Sequence, residues 1–195
     1  VAAESTFPAL VYGAFSGMAL TVFNLVPSVT NMFGKSVLPC AAQSWAKGQK
    51  EAVQKQLQSV LFLTALIALP AAGGLFCLSD SILTLLYPGQ DTACRIAAES
   101  LRSLLPGMVF LCFTMPLFSI LQGIGRADLP VKYMLPCVAV KLLGNILFLQ
   151  IPACSLLGAG LSTSLCYALL FGMTLFSLCR MLGMSLRGLK PILPL

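Results

Sequence analysis

The sequence predicts an all-α, polytopic bundle of about five membrane-spanning helices, and three observations carry that prediction. Hydrophobic residues make up 58% of the chain and charged residues only 9%, whereas soluble domains carry roughly 25% charged residues. The charges are also clustered, leaving charge-free gaps between Ser5 and Gly34, Gln56 and Ser79, Ser103 and Gly125, and Leu142 and Cys179. The alternating strands of a membrane barrel, about ten residues each, are absent.

A helix needs about 20 apolar residues to cross the hydrocarbon core, so each of the first three gaps predicts one span: near 10–34, 58–79 and 103–124. The first is followed by a cytoplasmic linker, 35–57, in which "SWAKGQKEAVQKQLQSVL" (44–61) is basic and helix-prone. Trp45, at its start, suits a membrane interface. Between the second and third spans lies an external segment, 80–102. There "SDSILTLLYPGQD" (79–91) reads as a short interfacial helix ending in a turn. The fourth gap is too long for one helix and is broken at "QIPACSLLG", where Pro152 and Gly158 mark a turn. Its halves predict spans near 131–149 and 157–179. The intervening "GIGRADLP" (123–130) follows a membrane helix rather than a strand, so its GxG does not signal a dinucleotide loop.

Orientation follows from the lysines and arginines. Lys35, Lys47, Lys50, Lys55, Arg126, Lys132, Arg180, Arg187 and Lys190 fall on one side, and Arg95 and Arg102, offset by Asp80, Asp91 and Glu99, on the other. The basic side is expected in the cytoplasm, with the first residue outside and the last inside. The net charge of +6 is then a topology signal reinforced by anionic lipid, and no nucleic-acid partner is needed. Val1 stands where an initiator Met would, so the sequence reads as a piece of something longer.

The spans are rich in helix breakers. Pro27, Pro70, Pro106, Pro116 and Pro136 fall at or within membrane depth and are candidate breaks or hinges. In lipid the freed carbonyls need partners, so such helices pack on protein or line a watery cavity. Small-residue runs accompany them ("GAFSG" at 13–17, "PAAGG" at 70–74, "GAGLSTS" at 158–164), allowing close helix approach. The eight cysteines form no CxxC pair and the chain holds no His. They read as small packing residues, with no metal or other cofactor expected.

Lys141 is the outlier. It sits about 13 Å from either end of the 131–149 span at roughly 1.5 Å per residue, and a lysine stem reaches only about 6 Å. Lipid exposure would cost at least about 2.5–3.5 kcal/mol, so the ammonium is expected to face protein or a water-filled cavity. Asn145 lies one turn on, on the same face, and Asn24 near Pro27 is expected to be a second buried polar group seeking a partner. One reading has Lys141 presenting its charge to an anionic substrate; opposite charges about 4 Å apart attract by about 4 kcal/mol at an effective dielectric of 20. The other has it bonded to Asn145, backbone carbonyls or a neighbouring helix. No Asp or Glu lies at membrane depth, and no protease dyad or HExxH is present, so an enzyme is not expected.

The runs "LPCAAQSWAKG", "LQGIGRADLPV" and "VKLLGNILF", set within a likeness covering nearly the whole chain, resemble the polysaccharide-export and flippase branch of the multidrug/oligosaccharidyl-lipid/polysaccharide superfamily. Within that branch the stage V sporulation protein B group is the most similar. The resemblance implies two pseudo-symmetric helical lobes around a cavity, this chain supplying most of the second and lacking the first. It also implies movement of undecaprenyl-linked sugar intermediates across the bacterial cytoplasmic membrane by alternating access, for spore or peptidoglycan synthesis. Partners would be membrane lipids, an anionic lipid pyrophosphate that Lys141 attracts, and the first lobe. A multidrug antiporter of the same superfamily and a non-transporting scaffold for envelope or spore assembly remain the alternatives.

Overall fold

The computed structural model describes residues 13–149 and 155–183. A π-helical opening, Ala14–Ala19, leads directly into α1, Leu20–Ala46. Four more helices follow: α2, Lys50–Leu86; α3, Asp91–Gly123; α4, Asp128–Leu149; and α5, Ser155–Leu182. No strand occurs among the described residues. The expected turn at Pro152 and the tail residues Arg187 and Lys190 lie outside them.

The helices outrun the apolar spans. No separate element fills the 35–57 linker: α1 continues to Ala46, α2 starts at Lys50, and a corner at 47–49 joins them. Ala, Gln and Lys, which dominate this stretch, are good helix formers once the chain leaves the membrane. Gly48 turns the corner at φ 71°, where a side chain would be strained. Its N–H donates to the Trp45 carbonyl (2.9 Å) and that of Gln49 to Ser44 (3.0 Å), closing α1 in the manner of a glycine C-cap. The interfacial helix expected within 79–91 is instead the last turns of α2, because nothing before Pro88 and Gly89 interrupts it.

Helix α3 is the central staff, with α1, α2 and α5 packed around it, while α4 packs almost wholly on α5. Of the apolar stretch of α3, 67% is buried, against 22% in α2 and 33% in α5. One half of the core gathers Phe23, Leu83, Leu101, Leu104 and Met108; the other gathers Leu57, Leu117, Ile120, Leu121 and Leu178.

Among lipid tails helices gain little from burying apolar surface, so close approach and interhelical hydrogen bonds carry the packing. The α3–α5 seam shows both. A Cβ on Gly160 would come within 2.6 Å of the Ser103 Cβ, and one on Gly107 within 3.0 Å of the Ser164 Cα. Pro106 interrupts the α3 ladder here, and α5 supplies the replacement. The Gly107 N–H donates to Ser164 Oγ (3.1 Å), whose own hydroxyl lies 2.9 Å from the Gly160 carbonyl and 3.4 Å from that of Ser103. Of the small-residue runs, "GAGLSTS" therefore meets another helix. In the other two, Gly13, Gly17, Gly73 and Gly74 have open space where a Cβ would be.

Pro27, Pro70, Pro106, Pro116 and Pro136 all lie inside helices that continue beyond them. Pro27 and Pro116 are buried, and the other three are exposed.

Candidate functional site

Three helices are long and apolar enough to cross a membrane among the described residues: Lys50–Leu86, Thr92–Gly123 and Gly160–Leu182. Helix α1, which carries most of the span expected near 10–34, is not among them, and the arrangement of its polar residues defines the candidate site. Thr21, Asn24, Ser28, Asn31 and Lys35 recur at intervals of three, four, three and four residues. That spacing places them on one stripe of a helix, running about 21 Å at 1.5 Å per residue, roughly two-thirds of a hydrocarbon core about 30 Å thick.

The stripe faces away from the bundle. Thr21, Asn24, Ser28 and Lys35 are exposed and Asn31 half-buried, while Val22, Phe23, Pro27, Thr30 and Gly34 are buried on the other side. Three of the stripe's side chains donate within the helix. Thr21 Oγ1 donates to the Gly17 carbonyl (2.6 Å), Asn24 Nδ2 to Leu20 (2.8 Å) and Ser28 Oγ to Asn24 (2.7 Å). This back-bonding satisfies the two hydroxyl donors and one of the two amide hydrogens of Asn24. The remaining lone pairs and amide dipoles still make hydrocarbon a poor neighbour, so the stripe suits water or another protein surface. Asn24 is thus exposed and bonded to its own helix, rather than buried and seeking a partner as the sequence suggested.

Lys141 occupies a different place. The face of α4 that meets α5 is fixed by three contacts. The Tyr133 hydroxyl bonds Ser177 Oγ, the Cys137 carbonyl lies 3.1 Å from Cys166 Sγ, and a Cβ on Gly144 would come 2.9 Å from that of Ser162. Lys141 shares this face, is half-buried, and is close enough to Cys166 for its charge to act on that thiol. The opposite face shows Val131, Leu135, Val138 and Leu142 to the outside, and Met134, two turns before Lys141 on its own side, is exposed as well. The ammonium therefore leans toward α5 rather than straight into the acyl layer. Among the described residues no carboxylate pairs with it; the ion pairs there are Arg102–Asp80 (2.7 Å) and Lys132–Asp128 (2.9 Å). The side chain of Asn145 lies outside the described residues. Helices α1 and α4 are not packed on each other, so the structure does not bring Asn24 and Lys141 into one contact.

No group of three His, Cys, Asp or Glu side chains able to hold a metal occurs among the described residues. Cys94, Cys112, Cys137, Cys166 and Cys179 are buried and unbridged, as packing residues would be, while Cys40 and Cys77 are exposed.

With this geometry in place, the comparison with known families is decisive on one point. The sequence model of the MatE family matches residues 14–147, from the π-helical opening through nearly all of α4. The chain belongs to the MatE family. Similarity also extends to an uncharacterized membrane protein of Methanocaldococcus jannaschii, at 25% identity over 179 residues, which is 92% of this chain and 34% of the relative. The chain thus spans about a third of that relative's length. The match places this MatE chain in a membrane, and both the α1 stripe and Lys141 fall within the matched residues.

Sequence reasoning found Asn24 but not the stripe it belongs to. The signal was available: a three-four repeat of polar residues inside an otherwise apolar gap. A search for charges passes over it, because only Lys35 in the stripe is charged.

Proposed function

We propose that this MatE chain forms one lobe of a membrane transporter, and that the polar stripe on α1 is the wall it turns toward the transport path. The single observation behind this is the stripe itself: five polar side chains in register, four of them exposed and Asn31 half-buried, on a helix otherwise built for lipid. The other lobe would supply the facing wall. The cargo we propose is an anionic lipid-linked saccharide of the undecaprenyl pyrophosphate type, moved across the cytoplasmic membrane as in the stage V sporulation protein B group. Lys141, half-buried and unpaired by any described carboxylate, supplies positive charge that a pyrophosphate would satisfy. The chain has no acidic residue inside its spans, which leaves this half without the buried carboxylate that proton coupling uses. Lys35, Lys47, Lys50, Arg126 and Arg180 mark the cytoplasmic end.

Drug export is the second reading, because membership of the MatE family fits it equally. Leaflet-specific labelling of lipid-linked precursors tests the proposal, in a strain depleted of the protein and complemented by full-length variants. Lys141→Gln is expected to accumulate normally and to slow precursor movement at least about tenfold, equivalent to about 1.4 kcal/mol. Wild-type movement by that variant would remove Lys141 from the path. Drug resistance that tracks the protein while precursor movement does not would replace the cargo with a drug.

A further inference from the structure

A cleft of about 400 Å³, lined by Asp80, Thr84, Cys94 and Arg95, opens between the end of α2 and the start of α3. It lies at the end of the bundle opposite the basic corners at 47–49 and 124–127, and no part of the proposed transport path uses it. Its depth in the membrane can be reckoned from the helices. The charge-free stretches of α2 and α3 end at Asp80 and Arg102, and these two form an ion pair of 2.7 Å that ties the helices together at one level. Thr84 lies one turn beyond Asp80, about 6 Å along the axis at 1.5 Å per residue. The polar headgroup layer on each side of a bilayer is about 5–7 Å deep. The cleft is therefore level with lipid headgroups.

Its lining is of both signs. Arg95 is exposed and has no ion-pair or hydrogen-bond partner for its side chain among the described residues, whereas the Asp80 carboxylate receives the Arg102 guanidinium through Oδ2 alone. Thr84 and Cys94 leave the cleft's charges to these two groups, since the Thr84 hydroxyl donates to the Asp80 carbonyl (2.8 Å) and the Cys94 thiol to that of Leu83 (3.5 Å). The first turn of α3 adds partial positive charge beside Arg95. A purely anionic ligand would meet Asp80, and a purely cationic one would meet Arg95. A zwitterion satisfies both.

We propose that this cleft binds the headgroup of a zwitterionic phospholipid bearing a primary ammonium, the phosphate on Arg95 and the ammonium on the Asp80 carboxylate. The guanidinium offers a planar fork suited to phosphate oxygens, and the ammonium donates its hydrogens to the carboxylate. The acyl chains would run down the apolar flank of α2 below Asp80, where Leu69 and Phe76 are exposed.

The test uses full-length protein in detergent, titrated with short-chain phosphatidylethanolamine, short-chain phosphatidylglycerol and free phosphoethanolamine, with binding followed by native mass spectrometry. The proposal expects phosphatidylethanolamine to bind most tightly. Arg95→Gln should weaken it by about tenfold, the size of one hydrogen bond to a charged group, while Arg95→Lys, which keeps the charge but not the fork, recovers only part of it. Asp80→Asn should abolish the preference over phosphatidylglycerol. Unchanged thermal unfolding of Arg95→Gln would show that the loss is local. Equal binding of the two lipids by wild type, or no effect of Arg95→Gln, would overturn the proposal. Free phosphoethanolamine binding as tightly as the lipid would overturn the assignment to a membrane lipid.

Discussion

Helices α1 and α2 both flank α3 and both turn one face outward, yet those faces have opposite chemistry. The outward face of α2 carries Phe62, Leu63, Leu66, Leu69 and Phe76, and no polar side chain interrupts it over several turns. That of α1 carries Thr21, Asn24, Ser28 and Lys35 along one side and the equally exposed Leu25, Val29 and Met32 along the other. In lipid a face like that of α2 needs no partner, because acyl chains solvate it as well as protein would. A face like that of α1 does need one, because hydrocarbon cannot accept from or donate to it. Exposure alone does not distinguish the two; what is exposed does.

The sharpest way to break this comparison is to put a charge on each face. Leu66→Asp, on a residue 61% exposed, should cost at least about 2.5–3.5 kcal/mol and reduce the folded protein recovered from membranes. Ser28→Asp, on the stripe, should accumulate close to wild type. Immunoblotting of membrane fractions and thermal unfolding in detergent would measure both. Equal losses at the two positions would mean that α1 faces lipid after all.

A smaller effect comes from labelling. With Cys40 and Cys77 replaced, a cysteine at position 24 should react with a membrane-impermeant thiol reagent at least about tenfold faster than one at position 66, since a thiolate, the reactive form, needs water to exist. Matching rates would erase the distinction.

The smallest effect lies outside both faces, at the start of α4. Lys132, one turn on, holds the Asp128 carboxyl below its usual range by hydrogen bond and charge. A carboxylate whose pKa is lowered by folding stabilises the protein above its unfolded-state pKa, and that contribution fades as pH falls through the lowered value. The pair is exposed, so the change should be slight. Thermal unfolding across acidic pH should show Lys132→Gln losing a shallow slope that wild type has.

The sequence made the bundle legible because charge-free gaps report directly on lipid-crossing segments. It did not show where helices end, since Ala, Gln and Lys extend α1 and α2 into water with no apolar signal to mark the change. Nor did average hydropathy show the α1 stripe. An average over a helix treats Asn24 and Ser28 as dilution, whereas their spacing puts them all on one side. Lys141 was legible as an anomaly because a charge stands out, and its lean toward α5 follows from neighbours, Cys137 and Gly144, whose role only the packed structure reveals. The cleft between α2 and α3 was invisible for a simpler reason. Asp80 and Arg95 lie on different helices, and nothing in a linear reading brings them to one opening.

The back-bonding along α1 has a kinetic consequence. Thr21 and Ser28 already spend their hydroxyl hydrogens, and Asn24 one of its two amide hydrogens, on their own backbone, so a molecule gliding past would find shallow resting points rather than deep wells. If the chain works as proposed, such a surface wets a passage without gripping what moves through it, and quick departure is what a carrier must offer once its cargo has arrived.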